Sequence, residues 1–132
     1  MSLVSERAAV LAEELGYLDR EEKFEWLIDR GKSLPTGLEF SESELVRGCQ
    51  SQVWIRVSVS DDLMHIEGYS DALIVKGIVS LLVELFDNAP REAVQSFNFI
   101  DWMQENGLSL SFQRMQGLAG MLQRIQTEAS KS

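Results

Sequence analysis

An α+β fold, with a small antiparallel sheet of about three strands and helices packed on one face of it, follows from three features of the chain. Period-two alternation is confined to one block, residues 53–69, where two alternating runs flank the turn Ser60-Asp61-Asp62. Apolar residues at helical spacing lie on both sides of that block. The two periods never interleave, and segregated strands and helices point to α+β rather than to a parallel α/β sheet.

The elements follow in order. Ser5 to Leu15 is rich in alanine, leucine and glutamate and reads as a helix ending at Gly16. Asp19 and Glu22 have the spacing of a capping box, in which the Asp side chain accepts from a free first-turn amide. Phe24, Leu27 and Ile28 then share one helical face, and Gly31 is expected to stop the helix. Leu34-Pro35 leads into a polar connection, Thr36 to Glu44, and a short third strand is expected near Leu45 to Gly48. Val53, Ile55, Val57 and Val59 alternate with Trp54, Arg56, Ser58 and Ser60, which predicts a strand with one buried face. Ser60-Asp61-Asp62 turns the chain into a second strand, where Met64, Ile66 and Gly68 alternate with His65, Glu67 and Tyr69. Ser70 is expected to cap a helix from Asp71 to Phe86, with Asp71 in its first turn. That helix is apolar nearly all round, with Lys76, Ser80 and Glu84 as one narrow stripe, so it should be buried across the sheet. Pro90 opens a helix carrying Val94, Phe97, Ile100 and Met103 to near Gly107. A last helix, from about Gln113 to Thr127, presents Leu118, Met121, Leu122 and Ile125.

The 132 residues predict a single domain, 1–132, with frayed ends at about 1–4 and 128–132. The net charge is -9, from 21 acidic and 12 basic residues. Such a surface argues against nucleic acid and against anionic lipid, both of which call for basic residues. The N-terminal stretch carries Glu6, Arg7, Glu13 and Glu14 and has no uninterrupted apolar run of the secretory kind. The most apolar stretch, Ala72 to Phe86, is too short to span a bilayer. A single free cysteine fits a reducing compartment. The expectation is a cytoplasmic protein with no membrane and no nucleic-acid partner.

One Cys and one His rule out the usual metal-ligand spacings, so no metal site is expected. No glycine-rich phosphate loop occurs, and the acidic pairs Glu13-Glu14, Glu21-Glu22 and Asp61-Asp62 fall on helix surfaces or turns. Chemistry therefore converges on Cys49, which follows Gly48 and precedes the amides of Gln50 and Gln52, with Ser51 between them. A thiol reacts as the thiolate, which needs access and electropositive help. Arg47 and Arg56 are close in sequence, and Gln50 and Ser51 offer donors. The residues alone leave three uses open: a single-sulfur nucleophile, a thiol enzyme pairing Cys49 with His65, or a binding module in which Cys49 is an inert core thiol.

Gly48-Cys49-Gln50-Ser51-Gln52-Val53-Trp54 resembles the signature of the SufE family of sulfur acceptors. Further matches run in the same order from about Asp19 to Ile125: Glu21-Glu22-Lys23-Phe24 with Leu27-Ile28, Gly31 and Leu34-Pro35; Ser70-Asp71-Ala72 with Ile74-Val75-Lys76-Gly77; and Arg114 with Gln116-Gly117-Leu118. The resemblance implies a fold shared with IscU-type scaffolds. It implies an accessory protein rather than an independent enzyme. A SufS-like or CsdA-like cysteine desulfurase, whose pyridoxal phosphate is the partner's own, would pass persulfide sulfur to Cys49. Cys49 would relay it to an iron–sulfur scaffold of the SufBCD kind, and the chain itself would hold no cofactor. Gly48, Gln50, Ser51 and Gln52 match the cysteine loop, and Arg47, Asp71 and Arg114 fall where loop support or partner contact is implied. Ser111-Phe112-Gln113 stands where the family usually has a small residue, proline and a small residue, and the Gly107 to Leu110 connection looks shorter. This departure bears on how Arg114 is presented and on which desulfurase is met.

Overall fold

The computed structural model describes residues 2–46 and 51–131. Helix α1, Leu3–Leu15, starts two residues earlier than its composition suggests because Ser2 caps it, accepting from the Ser5 amide at 3.0 Å. Helix α2, Arg20–Gly31, opens on the expected capping box: Asp19 accepts from the Glu22 amide at 2.9 Å, and Glu22 accepts from the Asp19 amide at 3.0 Å. Gly31 is not the stop. It is the last residue inside α2, and a β-carbon there would lie 2.8 Å from the Gly77 nitrogen. Close approach of a second helix, not chain reversal, requires glycine at this position.

The strands are β1, Val53–Ser60, and β2, Leu63–Ser70, paired antiparallel with Val53 opposite Ser70 and Ser60 opposite Leu63. Asp61 and Asp62, at φ 55° and 61°, form a two-residue turn whose twist suits the hairpin. Val53, Ile55, Met64 and Ile66 are buried on one face. The other face carries Trp54, stacked on Phe40, and Arg56, which bridges Glu44 and Glu67. The expected count of about three strands is corrected: among the described residues the sheet has two, and the segment before it contributes one bridge, Leu45 to Trp54. Just before that bridge, at the end of the expected polar connection, Glu42–Glu44 form a 3-10 turn. The remainder of the expected strand, 47–48, lies outside the described residues.

Helix α3, Leu73–Phe86, packs across β2 and against α2, as its nearly all-round apolar sequence requires. Its polar stripe meets α2 through Ser80 and Glu84, while Lys76 lies over the Tyr69 ring. The Ser80 hydroxyl donates to the Arg30 carbonyl at 2.9 Å, and the Arg30 guanidinium joins Glu84 and Glu14, each at 2.8 Å. Ser70 does not cap this helix. It ends β2 fully buried, donating to the Gln52 carbonyl at 2.9 Å, and Ala72 stands at the cap. Asp71 thus precedes the helix rather than lying in its first turn. The single helix expected after Pro90 is two, α4 Arg91–Ser96 and α5 Phe99–Glu105. Asn98 starts the second by accepting from the Asp101 amide at 3.0 Å. The break turns Phe97 and Phe99 edge-on to Phe86. Helix α6, Phe112–Ala129, is capped by Ser111 and lies along β1, so α3 and α6 cover the same side of the hairpin.

Candidate functional site

Arg47, Gly48, Cys49 and Gln50 lie outside the described residues, so the site is built from what flanks them. On the entering side, the Val46 amide donates to the Val53 carbonyl at 2.8 Å. On the leaving side, the Gln52 carbonyl accepts from Ser70. The Ser70 oxygen also accepts from the Ala72 amide at 3.3 Å, so one hydroxyl ties the start of β1 to the β2–α3 junction. Asp71, exposed, is the residue between those two bonded positions.

Ser51 is half-buried and opens onto a cavity of about 50 Å³ between α3 and α6. Val75 and Ile78 form the α3 wall, and Gly117 and Met121 form the α6 wall. Gln113 and Arg114 stand at the rim, in the first turn of α6. Of the site residues picked out in the sequence, Ser51 and Arg114 therefore meet at one cavity, while Gln52 and Asp71 meet at the Ser70 junction. An apolar pocket with a few polar groups at one end is the usual form of a small-molecule or reactive-group site. The Phe112 ring, beside that rim in sequence, is 77% exposed.

His65 is not part of this arrangement. It pairs with Ser58 on the sheet face opposite the buried one, in the middle of the hairpin. Among the described residues no group of three or more His, Cys, Asp or Glu is placed to hold a metal ion. No helix among them is long and apolar enough to cross a membrane.

Two arginines hold the approach to the site: Arg56, which the sequence offered as a positive charge near Cys49, and Arg124, which it did not mark. Arg56 donates to Glu44 at 2.6 Å and also reaches the Glu39 carbonyl. The Arg56 bond and the Ser41 amide hold the Glu44 carboxyl down at about 2, far below the usual carboxylate range. Arg124 donates to the Ser43 and Leu45 carbonyls at 3.0 and 3.2 Å. No short-range signal marks Arg124, because its partners are backbone atoms about eighty positions away.

Residues 9–129 match the family model described as SufE, Fe-S metabolism associated domain. The chain belongs to the SufE family. An uncharacterized SufE-like protein of Rhizobium meliloti (strain 1021) is 34% identical over 128 residues, covering 90% of this chain and 91% of that protein. The solution structure of a hypothetical protein from Thermus thermophilus shares the fold, with a TM-score of 0.75 and 21% identity over 93% of each chain. Membership in the SufE family supports a role in iron–sulfur metabolism and sulfur transfer.

Proposed function

We propose that this SufE-family protein accepts sulfur from a pyridoxal-phosphate cysteine desulfurase, activates that enzyme, and carries the sulfur on Cys49. The observation that carries the reading is the cavity where Ser51 and Arg114 meet. Two peptide units separate Cys49 from Ser51, a reach of about 7 Å at most from Cα to Cα. A carrier sulfur that close to an apolar recess has a place away from water, and the Arg114 guanidinium offers positive charge to a thiolate or persulfide anion.

The transfer needs only one nucleophile. The Cys49 thiolate attacks the outer sulfur of the desulfurase persulfide, the sulfur–sulfur bond there breaks, and the desulfurase cysteine leaves as its thiolate. Cys49 then holds the persulfide, with no net oxidation or reduction. The cysteine chemistry that generates the sulfur, and its cofactor, belong to the partner, a SufS-like or CsdA-like enzyme. Delivery goes on to a SufBCD-like iron–sulfur scaffold in the cytoplasm.

The reading of Cys49 with His65 as a thiol enzyme is disfavoured by the register. His65 is five residues along β2 from Ser70, about 17 Å at the rise of a strand. The deciding experiment incubates the protein with desulfurase, cysteine and pyridoxal phosphate and weighs the intact chain. One added sulfur is expected on wild type and none on Cys49→Ser. A wild-type chain that gains no sulfur ends the proposal, and a thiol that alkylates only on unfolding points to the inert-core alternative.

A further inference from the structure

Arg124 binds the strand of chain that leads into the cysteine segment, and it does so from the same helix that forms the cavity wall. Its two donors reach the carbonyls of Ser43 and Leu45, at 3.0 and 3.2 Å. Leu45 bridges to Trp54, and the next amide, Val46, bonds to Val53. One turn before Arg124 on α6 lies Met121, and one further turn back lies Gly117, both lining the cavity beside Ser51. Ile125, next to Arg124, is fully buried, which fixes this part of α6 against the core. The guanidinium fork is planar and spans two acceptors at once, so it sets a direction as well as a distance.

We infer that Arg124 is a positioning residue for sulfur transfer: it locks the Ser43–Val46 stem to α6, and so fixes the point from which Cys49 is offered relative to the Val75–Met121 cavity. This rests on the proposed role of Cys49 as carrier. Arg124 does not touch the sulfur. It acts through the stem, and its neighbour in the same groove, Arg56, secures Glu44 and the Glu39 carbonyl from the sheet side. The segment carrying the thiol thus departs from a stem held between sheet and helix.

The test compares Arg124→Met and Arg124→Lys with wild type. Amide hydrogen exchange is read at Val46 and, as a core reference, at Leu82, alongside the alkylation rate of Cys49 by iodoacetamide. Loss of a charge-assisted pair of bonds is expected to speed exchange at Val46 and alkylation roughly tenfold in the Met variant, with Leu82 unchanged. The Lys variant, which keeps the charge but not the fork, should fall between. With desulfurase present, the transfer rate at saturating partner should drop roughly tenfold while the half-saturating partner concentration stays put. Equal acceleration at Val46 and Leu82 in both variants, no acceleration at either, or a loosened stem with undiminished transfer each overturns the inference. Exchange and alkylation need no desulfurase, so a wild-type protein that takes up no sulfur refutes the carrier role separately from the stem lock.

Discussion

Gly77 lies so near α2 that a β-carbon on it would stand 2.2 Å from the Leu27 carbonyl oxygen and 2.8 Å from the Leu27 carbonyl carbon. Gly31 meets the Gly77 nitrogen from the other side of the same crossing. The two helices therefore pack backbone to backbone, and that contact seats α3, which carries Val75 and Ile78 to the cavity. Alanine at Gly77 would gain about 1 kcal/mol of helix propensity. It would lose more by forcing apart two backbones that have no side chain to move. Gly77→Ala is expected to cost about 3 kcal/mol or more, and Gly31→Ala less, in urea unfolding at an unchanged slope. A Gly77→Ala protein as stable as wild type would show that the crossing relaxes freely.

Two glutamates should give stability profiles of opposite slope. Glu44 is held at about 2 by its bond to Arg56, by the Ser41 amide and hydroxyl, and by the Arg56 charge, against a smaller opposing effect of burial. Its folded value lies below its unfolded one. Its stabilisation is therefore present above about 4.5 and is lost as pH falls toward 2. Glu84 is raised, first by burial, with Glu14 adding and Arg30 opposing. Its contribution favours the fold at low pH and fades as pH rises through its folded value. In urea titrations from pH 7 to 2, the advantage of wild type over Glu44→Gln should shrink below pH 4.5. Its advantage over Glu84→Gln should grow on acidification toward that pH. Parallel profiles for the two variants would contradict both assignments.

The hairpin, the capping box and the buried central helix were legible because each rests on local periodicity or a three-residue spacing. What misled was long-range. Gly31 has the position of a helix stop, and only the helix packed on it shows why glycine is there. Ser70 has the look of a cap, but β2 runs on to include it, and the helix begins only after Ala72. Phe97 and Ile100 continue a helical spacing across the break at Asn98, because both ends of the break turn toward the same core around Phe86. The cysteine motif identified the family, whereas Arg124 and the Ser51–Arg114 cavity arise from residues more than sixty positions apart.

The Ser70 hydroxyl sits on a fully buried side chain at the β2–α3 junction. Ser70→Ala would leave the Gln52 carbonyl short of that donor at about 1–3 kcal/mol. A capping serine replaced by alanine would loosen the first turn of α3 instead. Hydrogen exchange should therefore speed at residues 51–53 and stay unchanged at Lys76, whose amide already bonds to the Ala72 carbonyl at 2.8 Å. Faster exchange confined to Lys76 would restore the capping role.

Phe112 occupies the first helical position of α6 and is 77% exposed. Proline is tolerated at that position, since its missing N–H is one that the helix leaves unpaired. Phe112→Pro should therefore fold with stability within about 0.5 kcal/mol of wild type. It would remove a large exposed apolar ring two residues from Arg114 in sequence, and aromatic rings are enriched at protein interfaces. With the desulfurase proposed as partner, the half-saturating concentration is expected to rise roughly tenfold, about 1.4 kcal/mol, with the transfer rate at saturation retained. Arg114→Ala should do the reverse and lower the rate at saturation, because its positive charge stands at the rim of the cavity beside Ser51. If Phe112→Pro lowered the saturated rate and left partner affinity alone, the ring would belong to the cavity chemistry and not to the partner contact.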